Sequence, residues 1–150
     1  MNWLRRILLV VLAFVAGNAM ADVGLIRHKS AWSVEETMSR AEQIVKERGF
    51  TIFAMVDHAK GGASVGDELR PTQLLIFGNP KGGTPFMQCA QTVGIDLPLK
   101  ILVWQDAAGQ VWLGYNDPEW IARRHRVPKC PAAAKISKGM ADLVDAILKK

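Results

Sequence analysis

The chain is poor in the residues from which most catalytic and metal centres are built: 150 residues hold two cysteines, three histidines and one tyrosine, with no Cys-x-x-Cys. His28, His58 and His125 have no tight ligand spacing, so no metal centre and no cofactor is predicted. Internal repeats and low-complexity segments are absent from the sequence, which excludes solenoids and arrays. Nor is there a strong excess of one charge. Nineteen basic residues face fourteen acidic ones, for a net +5, and the basic residues are scattered. Only Arg123, Arg124, Arg126 and Lys129 cluster, and that cluster reads as the solvated end of a helix, so nucleic acid is not an expected partner.

What is present begins at the N-terminus. Arg5 and Arg6 precede an uninterrupted apolar stretch from Ile7 to Ala16, and Ala19-Met20-Ala21 puts small residues where a signal peptidase reads them. The pattern predicts a signal peptide over residues 1–21, cleaved after Ala21, and a periplasmic or secreted protein. The stretch falls well short of the roughly 20 apolar residues needed to cross a bilayer, so no stable membrane span is expected after cleavage. The remaining residues 22–150 predict a single domain, with the charge reduced to +3 by loss of the two arginines. Two cysteines in a chain sent to an oxidising compartment predict a Cys89–Cys130 disulfide. A redox or copper site, for which Met87 beside Cys89 is the local support, is the competing reading.

Residues 23–28 alternate weakly and read as a first strand. Ser33-Val34-Glu35-Glu36 is a capping box that starts a helix, Val34, Met38, Ala41 and Val45 fall on one of its faces, and Gly49 supplies the stop. Residues 50–57 form a strand with Phe50, Ile52, Ala54 and Val56 on one side and Phe53 and Met55 on the other. Residues 58–71, with Gly61, Gly62, Gly66 and Pro71, read as a connection holding at most a short helical turn. Residues 73–77 are a compact apolar strand. Two cap-and-proline pairs, Asn79-Pro80 and Thr84-Pro85, each fit the start of the next helix.

Residues 99–105 and 110–115 form a hairpin across Asp106-Ala107-Ala108-Gly109, the glycine taking a positive φ. Asp117-Pro118 starts a short helix that ends near His125, and residues 134–148 form a last helix with Ile136, Met140, Leu143, Val144 and Ile147 on one face. Hairpin strands with a few helices predict an α+β fold: a single antiparallel or mixed β-sheet with helices packed on it.

In order along the chain stand residues 68–81 (Glu-Leu-Arg-Pro-Thr-Gln-Leu-Leu-Ile-Phe-Gly-Asn-Pro-Lys), Gly83-Thr84-Pro85, Asp96-Leu97-Pro98-Leu99-Lys100, Tyr115-Asn116-Asp117-Pro118 and Arg124-His125. With these motifs the chain resembles the domain-of-unknown-function family 302 over about residues 30–147. The resemblance implies a compact α+β domain with an antiparallel sheet, self-association in many members, and no assigned activity. Gln105 stands where an acidic residue commonly precedes Asp106 in that family, which weakens any scheme needing paired carboxylates at that turn.

No constellation amounts to a recognisable catalytic centre, and the sequence leans away from an enzyme. Residues 78–84 (Gly-Asn-Pro-Lys-Gly-Gly-Thr) sit between a strand and a helix, where a phosphate loop belongs, but lack the lysine before the final threonine. The polar residues collecting in loops at strand ends give a candidate ligand-binding set of His58, Arg70, Asn79, Thr84 and His125. Trp104 and Trp112 lie on paired strands; an uncovered sheet face carrying them with Phe53 and Met55 predicts a homodimer contact. The leading expectation is thus a homodimeric small-ligand-binding or accessory domain. A small hydrolase or isomerase using His58 with Arg70, and metal or redox handling through Cys89, His58 and His125, are the alternatives.

Overall fold

The computed structural model describes residues 23–150, so the expected signal peptide and its cleavage site lie outside the described residues. The elements in chain order are strand Leu25–Ser30 (β1), helix Val34–Glu47 (α1), strand Thr51–Asp57 (β2), helix His58–Ser64 (α2), strand Thr72–Gly78 (β3), helix Pro80–Cys89 (α3), a 3-10 helix Gln91–Ile95, strands Leu99–Gln105 (β4) and Val111–Asn116 (β5), and helices Pro118–Arg124 (α4) and Pro131–Leu148 (α5). The strands make one sheet in the order β1-β5-β4-β3-β2 with every neighbouring pair antiparallel. The fold is α+β, and the sheet is antiparallel throughout.

Period-2 alternation divides the sheet into two faces. Leu75, Phe77, Ile101, Val103, Leu113 and Tyr115 point to the inner face, where Val34, Met38, Ala41 and Val45 of α1 and Met140, Leu143, Val144 and Ile147 of α5 close over them as one buried core. A second buried cluster joins Phe86 of α3, Val93 of the 3-10 helix, Ile121 and Ala122 of α4, and Cys130 and Ala133 at the start of α5. The outer face carries Leu74, Leu102, Trp104 and Trp112, all half-buried.

Local rules explain most element ends. The Ser33 hydroxyl accepts from Glu36 N–H at 3.0 Å, as the capping box requires. Gly49, at φ +76°, turns the chain out of α1 while Phe50 N–H bonds the Val45 carbonyl. Asp117 caps α4 through Glu119 N–H, and Gly109 takes φ +83° in the β4–β5 turn. Of the two pairs that fit the start of α3, the chain uses Asn79-Pro80; the Asn79 side chain accepts from Lys81 N–H at 2.9 Å, and Pro85 falls inside the helix. Gly24 fixes the entry to β1. A Cβ there would stand 2.3 Å from the Trp120 ring, and its φ of +69° would strain any side chain.

In β2 the expected faces are not those observed. A bulge at Phe53 shifts the register, so Ile52 opposes Phe77 and Met55 opposes Leu75 on the inner face, while Ala54 and Val56 oppose Ile76 and Leu74 on the outer one. Phe53 and Met55 therefore do not share a face with Trp104 and Trp112. Residues 58–64, expected as at most one turn, form α2, because Asp57 caps Lys60 N–H at 3.0 Å.

Candidate functional site

A recess opens at the end of the sheet where β2 and β4 begin and β3 finishes. It is a groove of about 780 Å³. Phe50 and Phe53 of the β2 segment, Gly78 and Leu99 form its floor; residues 80–85 and Met87 of α3 form one wall; Pro131, Ala132, Ile136, Gly139 and Met140 of α5 form the other. Leu97 and Pro98 close one end. The bulge that displaces β2 is what places Phe53 here, with its ring edge 3.4 Å from where a Cβ on Gly78 would be.

Two features hold the walls in place. Cys89 at the end of α3 and Cys130 at the start of α5 have their sulfurs 2.11 Å apart, at disulfide distance, as the two cysteines predicted. Phe86 and Ala133, one from each wall, are buried in the same cluster behind the groove. Glycine keeps the space open: at Gly82 and Gly139 a Cβ would meet nothing within 4 Å. The lining side chains are apolar apart from Asn79, Thr84 and the two lysines Lys81 and Lys135, and they include no carboxylate.

The phosphate-loop idea does not survive this geometry. Residues 80–84 are the first turns of α3, Pro80 has no N–H, Lys81 N–H is taken by Asn79 Oδ1, and Gly82 and Gly83 N–H both bond the Asn79 carbonyl. The N–H groups of residues 81–83 are therefore not free to cradle an anion.

The candidate ligand residues divide between the two ends of the sheet. Asn79 and Thr84 both line the groove. His58, exposed at the start of α2, and Arg70 lie a strand's length away at the opposite end, where Asp57 pairs with Gln73. Arg70 Nε donates to the Gln105 carbonyl at 3.3 Å and lines a shallower recess of about 430 Å³, together with Asp67 and Glu68 but without His58. His125 belongs to a third arrangement. Its Nε2 lies 2.6 Å from Asp96 Oδ2 and its Nδ1 2.9 Å from Thr92 Oγ1, while Arg124 bonds the other Asp96 oxygen at 2.7 Å. The order Thr–His–Asp has the connectivity of a nucleophile relay, but none of the three lines the groove, and both ring nitrogens are engaged. Its local effect is to tie the 3-10 segment to the end of α4.

The outer sheet face is the second surface of interest. Trp104 and Trp112 oppose each other with ring centroids 6.4 Å apart, and Leu102 opposes Leu74 and Gly114. Arg27 lies over the Trp112 ring at 5.0 Å and Lys29 at 5.6 Å. Trp112 Nε1–H donates to Asp106 Oδ2 at 2.8 Å, and that bond, with those from Gln110 and Ala108 N–H, holds the Asp106 carboxyl below the usual aspartate value. Asp106 is thus fully used in shaping its turn, and Gln105 beside it donates from its side chain to the Gly109 carbonyl.

The groove, the region that sequence reasoning missed, is formed by residues that look unremarkable in one dimension. The glycines of residues 78–84 were legible as a loop between a strand and a helix. Their convergence with α5 was not, since it depends on the crossing of two helices far apart in the chain.

A family model described as domain of unknown function DUF302 matches residues 26–147. Among curated proteins, the fluoride-specific ion channel FluC 1 of Brucella suis biovar 1 (strain 1330) is 46% identical over 107 residues, which are 71% of this chain and 42% of that protein. The FluC 1 of Brucella abortus biovar 1 (strain 9-941) matches at the same identity over 40% of its length. The chain spans about two fifths of the length of these curated relatives. Among solved structures, an uncharacterised conserved protein DUF302 from Bacillus stearothermophilus superposes with a TM-score of 0.75 at 23% identity, covering 83% of this chain and 98% of that one, a likeness of fold.

Proposed function

The chain belongs to the family of domains of unknown function DUF302, and from that membership we propose that it is an exported binding or accessory domain, not an enzyme, that pairs with a second copy of itself and holds a small ligand between α3 and α5. The observation that carries this reading is the groove: about 780 Å³ of largely apolar space, within the range of roughly 300–1,000 Å³ common for small-molecule sites. Asn79 and Thr84 supply the few polar groups that orient a ligand in such a site. Self-association draws support from the outer sheet face, whose tryptophans and leucines stay partly exposed on the side opposite α1 and α5. Export draws support from the signal-like residues 1–21 and from the paired cysteines.

The other two readings have less behind them. Arg70 is engaged by Gln105 and its recess is not lined by His58, and Cys89 is at bonding distance from Cys130. Among the described residues no group of three His, Cys, Asp or Glu side chains is arranged to hold a metal ion. The name of the Brucella relatives brings a different second reading, an accessory domain that acts beside a membrane anion channel; the 46% identity favours it. Removing the matching region from the Brucella abortus protein and measuring fluoride efflux from vesicles tests it.

Native mass spectrometry of the protein purified from the periplasm tests the main reading. A dimer of chains beginning at Asp22, each lighter by two hydrogens and carrying a small-molecule adduct, is the expected result. An unprocessed, reduced monomer would overturn it.

A further inference from the structure

We propose that the groove takes a single-chain amphiphile with an anionic head, of the alkyl carboxylate kind, its chain laid between α3 and α5 and its head held between Lys81 and Lys135. This rests on the reading of the groove as a ligand site and adds the class of ligand. The interior offers an apolar surface to most of a ligand: Phe50, Phe53, Leu97, Ile136 and Met140 leave little for a polar molecule to bond. The charged residues in the lining are both lysines, with no carboxylate to answer them, and among the described residues neither is in an ion pair. Both are exposed, one on each wall. A lysine stem lies along apolar surface while its ammonium stays in water, so each wall presents a cation at its rim above a dry interior.

A wholly apolar ligand would leave those cations unanswered, and a cationic amphiphile would meet like charge. Recognition of the head falls to the lysines because the α3 backbone donors are already spent on Asn79. The open space over Gly82 and Gly139 gives the chain its path between the walls. Each methylene moved from water into the groove tightens binding about fourfold, until the groove is filled.

The test uses the purified full chain, the neutral dye Nile red as reporter of groove occupancy, and displacement by alkyl carboxylates, alcohols and trimethylammonium salts of matched lengths. Expected are dye binding to the wild type and its loss in Gly139→Leu, displacement that sharpens about fourfold per methylene, and a preference of about tenfold for carboxylate over trimethylammonium at equal length. That preference should disappear in the Lys81→Gln/Lys135→Gln double variant and reverse in Lys81→Glu/Lys135→Glu, with dye affinity retained in both. Dye binding with equal displacement by both head groups would overturn the ligand class and leave the groove reading standing. No dye binding to the wild type would overturn both.

Discussion

Cys89 and Cys130, 41 residues apart in sequence and with Cα atoms 6.0 Å apart, join the last residue of α3 to the residue just before α5. The bond therefore ties together the two walls of the groove. On the chain-entropy account a closed loop of this length stabilises the fold by about 4 kcal/mol. The Cys89→Ser/Cys130→Ser variant should lose about that much in urea unfolding, and it should bind Nile red more weakly even at low temperature where it remains folded. Unchanged dye affinity in the folded double variant would mean that the walls are held by the Phe86–Ala133 cluster alone.

Asp106 gives a pH dependence with a definite sign. Its carboxyl is held below its ordinary value, first by the Trp112 indole and then by the N–H groups of Gln110 and Ala108, with burial opposing them. A carboxyl lowered in the folded state stabilises the fold above its unfolded value of about 4 and loses that contribution as pH falls through the folded value. The melting temperature of the wild type should therefore fall more steeply below about pH 4 than that of Asp106→Asn. Near neutral pH the variant should be the less stable of the two. Parallel melting curves across this range would show that the indole bond contributes nothing.

The outer face of the sheet makes the proposed self-association testable without touching the inner core. Leu102 sits half-buried in the middle of that face, between Leu74 and Gly114. Light scattering should find the wild type dimeric at micromolar concentration and Leu102→Glu monomeric, with far-ultraviolet circular dichroism unchanged. Trp112→Glu should act in the same direction. A monomeric wild type would contradict the self-association.

Arg126 ends α4 at φ +62°, the left-handed conformation that glycine adopts freely, while Val127 N–H reaches back to the Ala122 carbonyl at 2.8 Å. Its charge makes no ion pair among the described residues. Arg126→Gly should raise stability by about 1 kcal/mol in denaturant titration, because the cost of placing a side chain in that region is removed. A loss of stability would mean that the arginine side chain contributes more than the backbone strain takes away.

The legible parts of this protein were those governed by short-range rules. The Ser33 cap, the Asp117 cap with its following proline, the Gly109 turn and the residues 99–105 strand can each be written from a few neighbouring residues, and each stands where such rules put it, whereas for α3 those rules fitted Asn79-Pro80 and Thr84-Pro85 equally and only the fold uses the first. The bulge at Phe53 was illegible, since residues 52–56 are apolar without a break, so nothing in their pattern marks a change of face, and the shift exists only relative to β3. Residues 58–64 read as a connection because of Gly61 and Gly62; their helix depends on the Asp57 cap. For the site, Asn79 and Thr84 were found from the glycine-rich loop, whereas Lys135 and Gly139 gave no signal at all. They belong to the groove only because α5 crosses α3, a consequence of packing around Phe86 and Ala133 and of the cysteine pair.

The central claim, that the space between α3 and α5 holds a ligand, is tested most directly by following backbone amide resonances during titration with decanoate. The groove is lined by Gly78, Gly82, Gly83, Gly94 and Gly139, while Gly49, Gly61, Gly66 and Gly109 lie outside it and serve as controls within the same spectrum. The account predicts saturable shifts at Gly82, Gly83, Gly94 and Gly139 with the control glycines unmoved. Shifts at Gly61 and Gly66, beside the recess that holds Arg70, or no shifts at any glycine, would contradict it.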